Sequence, residues 1–195
     1  MTQSKIPLIG LTGYARSGKD TFFQFANLLT SSRKSYDCQR FAFADELKKE
    51  CDDFLKSTLG ISAYTSDSKE KEIVRPFLVF WGTKIRRQQN ENCWIDKIKD
   101  DVIYWMNKGN TAVITDVRYG NEAEWIKSLG GKIVNIIRED VGPANEEEWR
   151  EGEFMKAHTD HFINWKTYGE DAIGDCTPEI EKCFSKLESL NMELV

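Results

Sequence analysis

At 195 residues the chain is long enough for one α/β core and short for two, so a single domain over 1–195 is the default. A composition of 40% hydrophobic and 30% charged residues with four prolines excludes a disordered or fibrous chain, and a net charge of -5 argues against a nucleic-acid surface that neutralises many phosphates. The five cysteines are odd in number and lack a CxxC pair, which fits free thiols in a reducing cytoplasm, and no apolar run reaches membrane-spanning length.

The chain opens with "IPLIGLT" (6–12), a short apolar run that reads as a buried parallel strand. "DTFFQFANLLTSS" follows with apolar residues at helical spacing, so strand, glycine loop and helix succeed one another. A second strand is expected over "RFAFA" (40–44), a helix over "DELKKECDDFLKSTLG" stopped at Gly60, and a polar loop over "ISAYTSDSKEKE". Two further helices fit "VRPFLVFWGTKIRRQQ" and "CWIDKIKDDVIYWMNKG", the latter stopped at Gly109. "TAVITD" reads as a strand, "VRYGNEAEWIKSLGG" as a loop and helix, and "KIVNIIRED" as a strand. Beyond Asp140 the chain turns polar and acidic, which suits a mobile cover. "DAIGD" (171–175) is expected as the last strand and "TPEIEKCFSKLESLNMEL" as a final amphipathic helix. Strands alternating with helices imply a parallel sheet covered on both faces.

The pattern with the sharpest chemistry is "GYARSGKDT", comprising Gly13, Tyr14, Ala15, Arg16, Ser17, Gly18, Lys19, Asp20 and Thr21. GxxxxGK between a strand and a helix wraps backbone N–H groups around an anion and brings its lysine to the β and γ phosphates of a nucleotide. The bland alternative is a tight turn beside a surface lysine. Asp20 stands where serine or threonine usually offers a hydroxyl to Mg²⁺; a carboxylate is also a hard oxygen ligand, so a metal role is expected for it. Asp116, at the end of an apolar strand, has the form of a second metal-positioning aspartate, with a helix cap as the alternative, and Arg118 leaves the same strand end. Trp81, Trp94, Trp105 and Trp125 fall at helical positions and read as core rather than base-stacking platforms; His158 and His161 have no metal-ligand spacing.

Together "GYARSGKDT", "FADELKK", "VRPFLVFWGT" with Trp94, "ITDVRYGNEAEWIKSLGG" and the tail "GEDAIGDCTPEIEK" resemble the phage-type deoxynucleoside monophosphate kinases. The blocks keep the family's order from the first strand to the last helix, and the GKDT loop with the DxRxxxE block is the specific part. The resemblance implies a nucleoside monophosphate kinase fold of the P-loop class: a five-stranded parallel sheet with helices on both faces, an acceptor-binding helical section at about 41–94, and a lid at about 138–170. It implies ATP on the glycine loop with Mg²⁺, and a deoxynucleoside monophosphate held by Asp45, Lys48, Arg75, Arg87, Asp116 and Arg118. Lys19, Asp20 and Arg138 would serve catalysis, with Arg150 either a second lid arginine or a solvated one. "LVFWGT", "HTDH" and Asp175 depart from the family's usual "LQxLGT", "HxSE" and asparagine. A P-loop kinase of another phosphorylated acceptor, such as phosphomevalonate, and a non-catalytic nucleotide-binding module stay open as alternatives. A cytoplasmic setting, the host's if the chain is phage-encoded, is expected, and the oligomeric state is open between monomer and homodimer.

Overall fold

In the computed structural model, residues 6–32, 37–167 and 174–192 are described. Five strands, β1 (Leu8–Thr12), β2 (Cys38–Phe41), β3 (Thr111–Ile114), β4 (Lys132–Arg138) and β5 (His161–Trp165), form one sheet in the order β2-β3-β1-β4-β5. Every neighbouring pair is parallel. The five-stranded parallel sheet read from the sequence is therefore present. β1 lies at its centre, with Gly10 paired to Ile114 on one side and Ile133 on the other.

Parallel strands need crossover helices, and these cover both faces. On one face α1 (Lys19–Ser32) and α8 (Thr177–Met192) bury Phe22, Ala26, Ile180, Cys183 and Leu187 against Ile9, Leu11, Val134 and Ile136. On the other, α6 (Gly120–Ser128) packs Ile126 so close to β1 that a Cβ on Gly10 would lie 2.7 Å from its Cδ1. Among the described residues no helix is long and apolar enough to cross a membrane.

The packing divides into two compact units, residues 1–41 with 102–195, and residues 42–101. The first holds the sheet. The second contains α2 (Phe43–Leu59), α3 (Ser68–Phe80), a π turn over Trp81–Arg86, the short α4 (Arg87–Gln89) and the start of α5 (Cys93–Asn107). α2 ends as expected on Gly60, whose φ of 68° is left-handed and whose N–H closes on Lys56 O. Its small core gathers Cys51, Leu55, Ala63 and Val74.

Three expectations need correction. β2 is Cys38–Phe41 rather than 40–44, because Phe43 already begins α2. The helix placed over Val74 onward starts six residues earlier, inside the expected loop, because the Asp67 carboxylate caps it by accepting the N–H groups of Lys69 and Glu70. The last strand is His161–Trp165, inside the expected lid range, whereas "DAIGD" is not a strand where it is described: Gly174 and Asp175 lie in a 3₁₀ turn, and residues 171–173 fall outside the described residues. Ile163 and Trp165 point inward along β5, while the exposed Phe162 and Asn164 alternate with them and mask the pattern in the sequence.

Candidate active site

The glycine loop joins β1 to α1 at the carboxyl edge of the sheet, where open α/β sheets bind ligands. Its backbone could be built from few other sequences. Gly13 (φ 129°) and Gly18 (φ 99°) lie in the region that side chains avoid, and a Cβ on Gly13 would meet the Ile136 carbonyl at 2.3 Å. Gly18 is also pressed by Trp165, whose ring would be 2.7 Å from an added Cβ. Trp165 donates its Nε1–H to Ser17 O at 2.7 Å, so β5 braces the loop from below.

Lys19 begins α1 with its ammonium folded onto the loop, donating to Gly13 O and Tyr14 O at 2.8 Å each. Burial, reinforced by the positive charge of Arg118, brings its pKa down to about 8, while Glu148, Asp20 and Asp116 pull the other way. The same balance places Asp20, Asp116 and Arg118 in the electrostatic surroundings of Lys19. The Ser17 hydroxyl is buried with no hydrogen-bond partner among the described residues.

Asp20 has a side chain 77% exposed, open to a ligand, and its Oδ1 lies 3.5 Å from Nε of Arg40 at the end of β2. Arg40 therefore supplies a counter-charge that the sequence reading did not find, because residues 20 and 40 meet only through the βαβ crossover. Asp116 and Arg118 follow β3, and the buried Glu122 holds their loop: its Oε2 accepts the N–H groups of Arg118 at 2.8 Å and Tyr119 at 3.1 Å. That bond explains the glutamate of the DxRxxxE pattern. Arg138 ends β4 and reaches back to the loop, with Nη1 donating to Arg16 O at 3.3 Å and Nε to Thr167 Oγ1 at 3.2 Å. Thr21 is half-buried in the first turn of α1. Arg150, in contrast, is solvated, paired with Glu146 one turn back on α7 (Glu146–Lys156).

α7 covers the loop. Glu148 Oε1 accepts the Ala15 N–H at 2.8 Å and its Oε2 accepts the Ala144 N–H at 2.6 Å. Gly152 sits on Tyr14, where a Cβ would approach the ring to 2.7 Å, and Phe154 sits on Gly120. Neither Glu148 nor Trp165 was singled out in the sequence, since each acts through a partner more than 130 positions away.

Within the second unit, Asp45 and Lys48 share one side of α2 with Tyr64: the Tyr64 hydroxyl donates to Asp45 O at 3.2 Å, and Lys48 Nζ stands 5.8 Å from the Tyr64 ring centre. Arg75 is exposed on α3, and Arg87 Nη1 donates to Glu91 O at 3.1 Å. The "GT" pair falls in the π turn, where Gly82 is buried and a Cβ would touch Leu47 at 3.0 Å. Glu50 anchors that turn, accepting from Trp81 Nε1 at 2.8 Å and pairing with Arg86 at 2.9 Å and Lys97 at 3.3 Å. Those partners hold its carboxyl below the usual range against the opposing effect of burial. Trp94 is buried, as expected of a core residue.

A parallel sheet of order 2-3-1-4-5 with a GxxxxGK loop leading from its central strand into a helix defines a P-loop kinase of the nucleoside monophosphate kinase type. No protein-family model matches the chain. A protein of Acanthamoeba polyphaga mimivirus named "Putative deoxynucleotide monophosphate kinase" is 33% identical over 187 residues, covering 84% of this chain and 91% of that protein. The chain belongs to the deoxynucleotide monophosphate kinase family. Among solved structures, shikimate kinase from Aquifex aeolicus vf5 is similar at 15% identity and a TM-score of 0.43, covering 91% of this chain and 98% of that one, a likeness too loose to build on.

Proposed function

We propose that the protein transfers the γ-phosphoryl group of ATP to the phosphate of a deoxynucleoside 5′-monophosphate, giving ADP and the deoxynucleoside diphosphate. The observation that carries this is the glycine loop with a half-buried Lys19 amid Asp20, Asp116 and Arg118, on a chain whose mimiviral relative bears a deoxynucleotide monophosphate kinase name.

The reaction breaks the bond between the γ phosphorus and the ADP oxygen and forms one to an oxygen of the acceptor phosphate. No covalent enzyme intermediate is needed, so holding both phosphates in line and balancing their charge is the whole task. Lys19 leaves its two carbonyl partners for the donor's β and γ oxygens. Loop N–H groups hold the donor against the positive end of α1, and Arg118 and Arg138 add charge at the sheet edge. Asp45, Lys48, Arg75 and Arg87 are assigned to the acceptor, with the arginines clamping its phosphate.

Two exposed or half-buried carboxylates beside the loop, Asp20 and Asp116, fit Mg²⁺, which commonly takes one or two carboxylates together with substrate phosphates. Bound there, Mg²⁺ would supply charge neutralisation on the transferred phosphates. The five cysteines are buried free thiols, which supports a reducing cytoplasmic setting.

The test is a panel of acceptors with ATP and Mg²⁺, following ADP release: dGMP, dTMP, dCMP, dAMP and hydroxymethyl-dCMP, the corresponding ribonucleotides, and phosphomevalonate. Turnover with one or more deoxynucleotides is expected. Turnover confined to a non-nucleotide acceptor, or none at all, refutes the proposal.

A further inference from the structure

Consecutive carbonyls of the glycine loop are tethered by the ends of two neighbouring strands. Arg138 and Trp165 are paired in the register of β4 and β5. Arg138 Nη1 donates to Arg16 O at 3.3 Å, and Trp165 Nε1 donates to Ser17 O at 2.7 Å, a buried bond between residues 148 positions apart. The two peptide planes differ in what else fixes them. The Arg16–Ser17 plane is held at both ends, because the Ser17 N–H also donates to Tyr14 O at 3.1 Å. The Ser17–Gly18 plane is held at its oxygen alone: among the described residues the Gly18 N–H donates to no group, and the buried Ser17 hydroxyl has no partner that would steady the residue.

Gly18 itself does nothing to keep that plane in place. Turning a peptide plane over changes ψ of the residue before it and φ of the residue after it, and glycine accepts either sign of φ at little cost. At φ 99° Gly18 already stands where other residues are strained, and a half-turn of the plane would carry it into the ordinary negative region. A trans peptide points its C=O and N–H in opposite directions, so with Ser17 O on the buried indole the Gly18 N–H points away from Trp165. Turned over, the plane would put a carbonyl oxygen where that N–H stands, a partial negative charge in place of a donor. The indole also dictates the glycine, since its ring would lie 2.7 Å from a Cβ at residue 18. The residue that the packing requires is therefore the one least able to fix its own peptide, and the restraint comes from β5.

We infer that Trp165 is a positioning residue for the donor: its indole N–H holds the Ser17–Gly18 peptide with the carbonyl turned into the protein, and so keeps the Gly18 N–H available to the donor's phosphates. The inference rests on the donor-site reading above and adds to it a buried residue that the donor does not touch. Without the indole N–H the plane is free to turn over, and the fraction of molecules in the turned state lowers apparent donor affinity in proportion.

The experiment compares the wild type with Trp165→Phe, which keeps an aromatic ring and removes the N–H. Trp105→Phe is the control: Trp105 Nε1 donates to Thr111 O at 3.1 Å, the same kind of bond at the amino edge of the sheet, where β3 begins. Binding of inorganic pyrophosphate and of ATP is measured by calorimetry without divalent cations, and hydrogen exchange of the wild-type indole N–H groups is followed by NMR with and without pyrophosphate. Both ligands are expected to bind Trp165→Phe about 5- to 10-fold more weakly, as loss of one hydrogen bond does, and to bind Trp105→Phe as they bind the wild type. In the wild type, pyrophosphate should slow exchange at the Trp165 indole and not at Trp105, because a bond that favours the ligand is favoured by the ligand in return. That arm needs no variant and decides the matter even where Trp165→Phe does not fold. Equal affinity in the wild type and Trp165→Phe, an equal loss in Trp105→Phe, or exchange at the Trp165 indole that pyrophosphate leaves unchanged would overturn the inference while leaving the donor site standing. Binding of neither ligand to the wild type would instead overturn the donor-site reading, and the role of Trp165 with it.

Discussion

The phosphate loop and the proposed acceptor section are built on opposite plans. The loop is made of backbone held by packed neighbours: glycines at φ 129° and 99°, a tryptophan wedge from β5, a Lys19 ammonium whose pKa burial brings down to about 8, and an α7 carboxylate on its N–H. The helical section instead presents charged side chains on helix surfaces, with Arg75 exposed and Asp45, Lys48 and Arg87 half-buried, around a scaffold tied by Glu50 to Trp81, Arg86 and Lys97. Anion binding by backbone tolerates few sequences, whereas a charged clamp on a helix can be moved by a turn and rebuilt. The difference teaches that a constrained backbone ties the loop to one kind of ligand, while side chains on helix surfaces leave the proposed acceptor section free to vary.

The most severe way to break this contrast is at Lys19. Lys19→Ala is expected to lower kcat/KM by about 10³-fold, as loss of a preorganised charge on the transferred group does. Circular dichroism and thermal unfolding should show the fold intact, because the side chain serves a surface loop rather than the core. Turnover within a few-fold of wild type would end the donor assignment.

Substitution of the arginines proposed for the acceptor sharpens it from the other side. Arg75→Ala and Arg87→Ala should each lower kcat/KM for the acceptor by about 10- to 100-fold, the worth of a charge-assisted hydrogen bond, while the ATP dissociation constant stays within two- to three-fold of wild type, about. Equal losses for donor and acceptor would move these residues to the donor side.

Asp20 offers a smaller effect with a more specific signature. If its carboxylate ligates Mg²⁺, directly or through water, Asp20→Ala should raise the Mg²⁺ needed for half-maximal rate by about 10-fold, and Asp20→Ser should recover part of it. Arg40 sharpens this. Freed from its 3.5 Å ion pair, Asp20 in Arg40→Ala should bind the metal no less well, since an exposed pair contributes little to stability and competes for the same oxygens. A magnesium titration in which Asp20→Ala matches wild type would show the carboxylate to be a bystander.

The smallest expected effect is in pH. Lys19 carries its charge below its pKa of about 8 and loses it as pH rises through that value, so KM for ATP should increase by several-fold, about, between pH 7 and 9. Arg118 lowers that pKa, so Arg118→Ala should move the rise to higher pH. A KM profile flat across this range would show that the donor does not meet the ammonium.

Much of the glycine loop was legible in the residue order because its constraints are local. Two glycines, a lysine and the flanking apolar runs lie within one strand, one turn and one helix, and each demand on φ or charge is met by a residue at fixed spacing. The Asp67 cap of α3 was legible too, as an aspartate with Glu70 three residues on, but the polar run around it reads equally as a loop. β5 was hidden for a related reason: its inward pair, Ile163 and Trp165, shares its face with the polar His161, and an exposed aromatic, Phe162, stands with Asn164 on the other.

The sequence by itself determined the parallel α/β class and the anion-binding loop, since hydrophobic periodicity and glycine stereochemistry act over a handful of neighbouring residues. Only the tertiary structure decided that Arg40 pairs with Asp20, that Trp165 wedges against Gly18, and that Glu148 enters the loop. Each of these joins residues from elements far apart in the chain. Their meeting is set by strand order and crossover packing, through which residues far apart in the chain share one sheet edge.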